Sequence, residues 1–392
     1  MRLILLGVGQ AGGKIVDRFL QYEQQTNQDF IVGTVALNTA RADLRGLEHI
    51  PDRRRHLFGQ TEVNGHGVGA DNELATRLTV EDAQELIRAT DDIPTSKADA
   101  FLVVAGLGGG TGSGAAPVIA RELDRIYAQP IYGLGILPGT DEGSIYTYNA
   151  ARSFQTFIDE VDNLLLFDND AWMQSGEDVT SAYDSMNEKL VRRLSVIFNA
   201  GEVSGSDAVG ESVVDSSEII NTLKGGGVTT IGFASSELPD DSSSGFSIRG
   251  LLGSSTPKPD EVEAVSRITT AARRAARGRL TLPADLSSTE RALVVVSGPP
   301  AWLSRKGIEQ SSQWLEEETT SMEIRGGDDP QPSSKYVSVA GLFSGVTDIP
   351  RLKQLQQQAM ETDEWQENRD EVSEENLETL VEDPTDRLDS LF

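Results

Sequence analysis

The 392-residue sequence predicts an α/β fold: a parallel sheet covered on both faces, a long central helix, a smaller α+β C-terminal unit and an acidic tail. Three observations carry that prediction. Near-continuous apolar runs of strand length alternate with segments of helical periodicity from residue 2 to residue 167. The stretch 177–200 keeps one apolar stripe throughout, and composition turns acidic after residue 350.

Taken in order, 2–6 (RLILL) is a strand ending at Gly7, and Ile15, Val16, Phe19 and Leu20 follow at helical spacing. Strands are expected at 30–37, 100–105, 130–137 and 163–167, with helices at 115–127 and 142–160. Residues 177–200 read as one helix carrying Tyr183, Met186, Leu190, Leu194 and Ile197. A second unit follows, with strands near 228–234, 292–297 and 335–343 and helices near 259–277 and 303–317. Segment 237–261, rich in Ser, Gly, Pro and Asp, reads as a surface loop. The divisions expected are 1–174, 175–204, 205–348 and a largely disordered tail over 349–392. Residues 351–392 hold 13 acids against four bases, and the end of this tail sets leucines and Phe392 among acids, as a docking peptide or a solvated terminus would.

Composition excludes several classes. With 38% hydrophobic residues the chain can bury real cores, so wholesale disorder is ruled out. The absence of cysteine excludes disulfides, thiolate catalysis and Cys-ligated zinc, and three histidines (His49, His56, His66) leave little for an imidazole site. No apolar run approaches the roughly 18 residues of a membrane span, and no signal peptide is read, so a cytoplasmic location is expected. A net charge of −28 argues against nucleic-acid binding through a basic face. Only eight of the 34 basic residues are lysine, which with that charge fits a protein from a salt-rich cytoplasm. An ordinary acidic protein is the alternative.

Two glycine loops carry the chemistry. Gly7-Val8-Gly9-Gln10-Ala11-Gly12, followed by Gly13 and Lys14, opens a helix directly after a strand and offers backbone amides to phosphate. A dinucleotide fold would want an acid ending the second strand, where Ala36-Leu37-Asn38-Thr39 stands; a Walker loop fails because Ile15 follows Lys14. The second loop, Gly108-Gly109-Gly110-Thr111-Gly112-Ser113-Gly114, follows the strand at 100–105. Both sit at C-terminal ends of parallel strands, where a string of unhindered amides suits a polyphosphate.

These residues resemble the tubulin and FtsZ GTPases: GGGTGSG is similar to their phosphate-loop signature and GVGQAGGK to their first nucleotide loop. The resemblance covers roughly residues 1–350. It implies a GTPase domain, a central helix and a C-terminal activation domain, with GTP or GDP and Mg²⁺ bound, the metal held mainly by phosphates. Residues 64–72, including Gly69 and Ala70, are similar to the loop near the γ-phosphate. Glu142 matches an acidic ribose contact, although the arginine that FtsZ places four residues later is Tyr146 here. Asn169 matches the guanine contact after the sixth strand. Tyr183 and Asn187, one turn apart, match a stacking Tyr and a guanine-reading Asn, roles the residues alone share with core packing and an exposed helix position. An amide pairs with the guanine edge and is mismatched to adenine.

Asp215 and Glu218, three apart at a helix start, suit capping and dipole complementation as well as chemistry. The resemblance makes them the catalytic pair that acts in trans on the nucleotide of the next subunit, which implies head-to-tail filaments. FtsZ's Asn two places before the first acid is Val213 here, which directs the resemblance to the archaeal tubulin-like CetZ group. The expected function is a cytoskeletal GTPase serving cell shape or division, with itself as partner and a regulatory or membrane-tethering protein at the tail. The alternatives are a non-polymerising GTP-binding scaffold and an NAD-linked oxidoreductase.

Overall fold

The computed structural model describes residues 1–173, 179–200, 202, 214–239 and 260–362. Chain order is β1 (Leu3–Val8), α1 (Gly9–Thr26), β2 (Ile31–Asn38), α2 (Arg41–Arg45), β3 (Arg55–Leu57), α3 (Gln60–Val63) and α4 (Asn72–Arg88). There follow β4 (Ala100–Gly106), α5 (Gly110–Asp124), β5 (Ile131–Leu137), α6 (Ser144–Asp159), β6 (Asn163–Asp168), α7 (Asn169–Trp172) and α8 (Val179–Asn199). The second unit holds α9 (Ser216–Leu223), β7 (Val228–Glu237), α10 (Glu261–Arg277), β8 (Arg291–Gly298), α11 (Arg305–Thr319), β9 (Glu323–Pro330) and β10 (Tyr336–Val346). A last helix covers 350–362.

All ten strands form one sheet in the order β3-β2-β1-β4-β5-β6-β7-β10-β8-β9. β10 runs antiparallel to both neighbours, and the other described pairings are parallel. Strand alternation sends Leu3 and Leu5 of β1 to one face, with Ile15, Phe19, Leu190 and Leu194 of α1 and α8. Ile4, Leu6 and Val8 go to the other, with Ala115 and Ile119 of α5 and Ile268 of α10. Each core continues into the second unit, through Leu293 and Leu342 on one face and Val294 and Val339 on the other.

β6 and β7 pair only at Leu164–Val228 and Leu165–Thr229, so side chains complete the seam. The buried Asn163 amide donates to the Leu223 and Gly226 carbonyls and to Ser344, and accepts from Thr229 at 2.6 Å.

Three expectations are corrected. α5 starts at Gly110 rather than Ala115, because half the second glycine loop is the helix's first turn. The ordered chain continues past 349: 350–362 is helical, with Leu352, Leu355 and Arg351 buried. The strands expected in the second unit omit β9, which pairs with β8 over eight residues. The tail beyond 362 and most of the expected loop 237–261 lie outside the described residues, as does Val213.

Candidate active site

The strand order reverses direction between β1 and β4, the place where an open α/β sheet leaves a crevice. Both glycine loops lie there. Their glycines divide into two kinds. At Gly12 an added Cβ would fall 2.0 Å from the Val104 carbonyl oxygen, and at Gly112 it would fall 2.6 Å from that of Gly106. Gly9, at φ 73°, would place its Cβ 2.8 Å from the Gly112 amide nitrogen, so the loops touch backbone to backbone. Gly13 is buried beside Leu47 and Gly108 packs on Pro138. Gly69 and Gly109, by contrast, meet nothing within 4 Å. The first set closes the crevice floor, while these two face open space.

The third loop leans on the second: a Cβ on Gly110 would meet Val68 at 2.6 Å and Ala70 at 2.9 Å. Ala70 itself sits at φ 69°, a strained position for a residue with a side chain. What holds it is Asn149 of α6, whose buried amide donates to the Ala70 carbonyl at 2.7 Å and the Gly108 carbonyl at 3.1 Å. The sequence reading missed Asn149, which belongs to no motif. Thr111 bonds Thr39 at 2.7 Å, tying the second loop to the end of β2. The Ser113 hydroxyl donates to the Gly109 and Gly110 carbonyls, so it braces the turn rather than facing the crevice. Gln10 and Lys14 are exposed on the first turns of α1, and Ala11 is half-buried.

On the other flank, Glu142 is the hub. Its Oε1 accepts from the Tyr183 hydroxyl at 2.8 Å, from the Gly139 amide at 2.8 Å and from the Asn169 amide group at 3.5 Å. Three residues from three elements therefore converge. Burial, then the Glu142 carboxylate, push the Tyr183 hydroxyl pKa up, which keeps it a donor. Asn187 is half-buried one turn on, on the same α8 that Arg18 of α1 approaches through Asp184 at 3.8 Å. Tyr146, on α6 beyond Glu142, is half-buried.

Behind this flank lies a buried ion pair. Arg351 of the last helix meets Asp168 at 3.3 Å and donates to the Pro138 carbonyl at 2.8 Å. Burial raises the Asp168 pKa to about 6 although Arg351 opposes the shift. Asp168 also accepts from the Asp170 amide, capping α7 beside Asn169.

Asp215 and Glu218 are elsewhere. α8 spans the molecule, carrying the chain about 22 Å from Tyr183 to Phe198. There the amino group of Met1 donates to the Phe198 carbonyl at 2.6 Å and pairs with Glu202 at 2.9 Å. This is the end where β1 begins; its glycine loop is at the other. The last residue of α9, Leu223, accepts from the Asn163 amide at the start of β6, which places α9 at that far end. Within one chain Asp215 caps α9, accepting from the Glu218 amide at 3.0 Å and from Ser217 at 2.6 Å. Those bonds hold its carboxyl below the usual range. Glu218 is half-buried, and burial followed by the Asp215 charge pushes its pKa up.

Among the described residues no group of three or more His, Asp or Glu side chains could cage a metal. The donor set fits a phosphate cradle of backbone amides, and a Mg²⁺ there would take phosphate oxygens and supply charge neutralisation.

Comparison with known proteins fits this geometry. Residues 2–177 match the model of the tubulin/FtsZ family GTPase domain, and 176–361 match that of the tubulin-like CetZ C-terminal domain. The tubulin-like protein CetZ5 of Haloferax volcanii is 55% identical over the whole of both chains. A GDP-bound monomer of CetZ1 from Haloferax volcanii superposes with a TM-score of 0.82 at 52% identity, covering 93% of this chain and 100% of that one. A GTPγS-bound protofilament of CetZ2 from the same organism gives 0.82 at 40% identity, covering 94% and 100%.

Proposed function

The chain belongs to the tubulin-like CetZ family, and on that premise we propose that it binds GTP and hydrolyses it at a site completed by a second copy of itself. One observation carries the reading: the glycine loops and the helix that bears Asp215 and Glu218 lie at opposite ends of one sheet. A carboxylate about 20 Å from its own crevice cannot polarise water there. Stacked head to tail, the far end of one subunit covers the open crevice of the next, and repetition gives a filament.

In this scheme the amides of Gly9–Gly13 and Gly108–Ser113 hold the phosphates, with Gly69 and Ala70 at the terminal one. Asn169 and Asn187 read the guanine edge, Tyr183 stacks on it and Glu142 holds their geometry. From the neighbour, Glu218 orients and polarises the attacking water, and Asp215 holds the helix start from which Glu218 projects. The phosphates held by these amides would carry a Mg²⁺, which would supply charge neutralisation. The CetZ2 relative forms a protofilament, which supports a filament here; we extend this to a cytoplasmic filament serving cell shape or division, whose acidic tail recruits a regulatory or tethering protein. The cap made by Asp215 favours one other reading, a GTP-binding scaffold that does not polymerise.

The test is phosphate release against protein concentration, followed by mixing. Specific activity is expected to rise above a threshold. Glu218→Ala alone should be inactive yet bind GTP, and should recover activity when mixed with a variant unable to bind nucleotide. Turnover independent of concentration would refute the shared site and leave the scaffold or a single-chain enzyme.

A further inference from the structure

A second cavity lies away from the crevice. Its volume is about 630 Å³, and it opens between α8, β7 and the C-terminal half of α10. Arg193, Arg273, Arg274, Arg277 and Arg279 line it against Phe233, and no lining residue is a carboxylate. In a chain with 62 acids and 34 bases this is a marked reversal of sign.

Four of these five cations have no ion pair among the described residues. Arg277 meets Glu318 at 2.8 Å, but among the described residues no ion pair engages Arg193, Arg273, Arg274 or Arg279. Arg193 is half-buried, stacks 4.3 Å over Trp172 and 5.3 Å from Phe233, and has a buried Nε without a hydrogen-bond partner. Arg279 lies 5.2 Å from the same indole. Burial first, and then the like charges of Arg192 and Arg279, push the Arg193 pKa down to about 10. Of the five, Arg193 is half-buried and the other four are exposed. Here aromatic stacking fixes two of them in place.

We propose that this cavity binds a compact polyanion carrying two or three phosphate groups. Planar guanidinium forks pair bidentately with phosphate oxygens, and the volume falls in the roughly 300–1,000 Å³ range of small-ligand pockets. A compact anion is favoured over an extended one, because nucleic acid or an acidic peptide leaving the cavity would run over a surface of net charge −28. Short-range bidentate contacts survive molar salt, where screening reduces long-range attraction to about 3 Å. The site is distinct from the crevice of the proposed function, with which it shares no lining residue.

Inorganic tripolyphosphate is the probe, titrated calorimetrically into the GDP-loaded full chain in potassium chloride, with release of labelled GDP followed in parallel. One saturable equivalent is expected, with GDP retained. Arg273→Gln/Arg279→Gln should weaken it about tenfold or more while GDP affinity stays within about twofold. The corresponding double lysine variant should recover part of the affinity, and Arg274→Gln alone, at an exposed position, tests the cluster if the double variant misfolds. Unchanged binding in the glutamine variants, GDP release in step with binding, or saturation by chloride alone would each overturn the site. So would binding of a peptide of residues 363–392 where tripolyphosphate fails, which would make the cavity a peptide dock. None of these results bears on GTP hydrolysis, which the same variants should retain.

Discussion

The two ends of the sheet are built from different materials. At the glycine end, the proposed function rests on backbone: Gly9, Gly12 and Gly112 let chain segments approach within distances that no side chain permits. At the far end the proposed function rests on two side chains, one of which caps a helix by any single-chain reading. A backbone cradle shows its purpose within one chain. A pair of carboxylates proposed to act on another molecule shows only its local bonds.

The largest expected effect breaks the glycine end. In Gly12→Ala the new Cβ would sit 2.0 Å from the Val104 carbonyl, inside the sheet–helix contact, where nothing flexible can yield. Destabilisation should exceed about 3 kcal/mol, with loss of nucleotide binding, by thermal unfolding and calorimetry. Gly109→Ala is its control: φ is −74° and nothing lies within 4 Å, so the fold should hold or gain a few tenths of about 1 kcal/mol. Nucleotide affinity should fall all the same. Equal unfolding temperatures for the two variants would contradict the division into packing and ligand-facing glycines.

Next comes the far end, where the two roles of the acids separate by choice of substitution. Asp215→Asn keeps an oxygen for the Glu218 amide and should stay within about 0.5 kcal/mol of the parent, whereas Asp215→Ala should lose about 1 kcal/mol. Glu218→Ala should lower turnover about 100-fold with GTP affinity nearly unchanged, and filaments should persist by light scattering. Full turnover in Glu218→Ala would leave both acids as helix-start residues.

The comparison also shows what the sequence could disclose. Buried parallel strands announce themselves because both faces are apolar, as in Leu3–Val8 and Ala100–Gly106. β9 did not, since its Gly-Gly-Asp-Asp-Pro run is covered by α11 and by Ser297, which bonds Asp329 at 2.8 Å. α4 was missed because its buried Ala75, Leu78, Leu86 and Ile87 are sparse among polar residues. Both glycine loops were legible as motifs. Glu142, Asn169 and Tyr183 became a set only through resemblance, and their convergence on one carboxylate oxygen is a tertiary fact. Asn149, the Arg351–Asp168 pair 183 positions apart and the arginine cavity carry no local signal at all.

A smaller effect tests base reading. Asn187→Ala should cost GTP about 1–3 kcal/mol of affinity and leave ATP affinity nearly the same, by competition calorimetry. Equal GTP and ATP affinity in the parent would remove guanine recognition from the glycine end, while leaving its phosphate cradle intact.

The smallest effect is a pair of opposite pH dependences at the far end. Asp215 has its pKa lowered from 3.8, so its contribution to stability is present above that value and is lost as pH falls through the lowered one. Glu218 has its pKa raised from 4.5, chiefly by burial and then by Asp215, so the native state binds its proton more readily than the unfolded chain does. Its contribution is therefore present below 4.5 and lost as pH rises through the raised value. Turnover should move the other way, because the ionised carboxylate polarises water: hydrolysis rises over the window in which this group's stability contribution declines. Glu218→Gln should flatten both curves there, and GTP affinity should show neither. Stability by denaturant titration and turnover, measured across the same acidic range on parent and variant, separate the roles. A turnover limb that survives in Glu218→Gln would assign the titrating group to another residue.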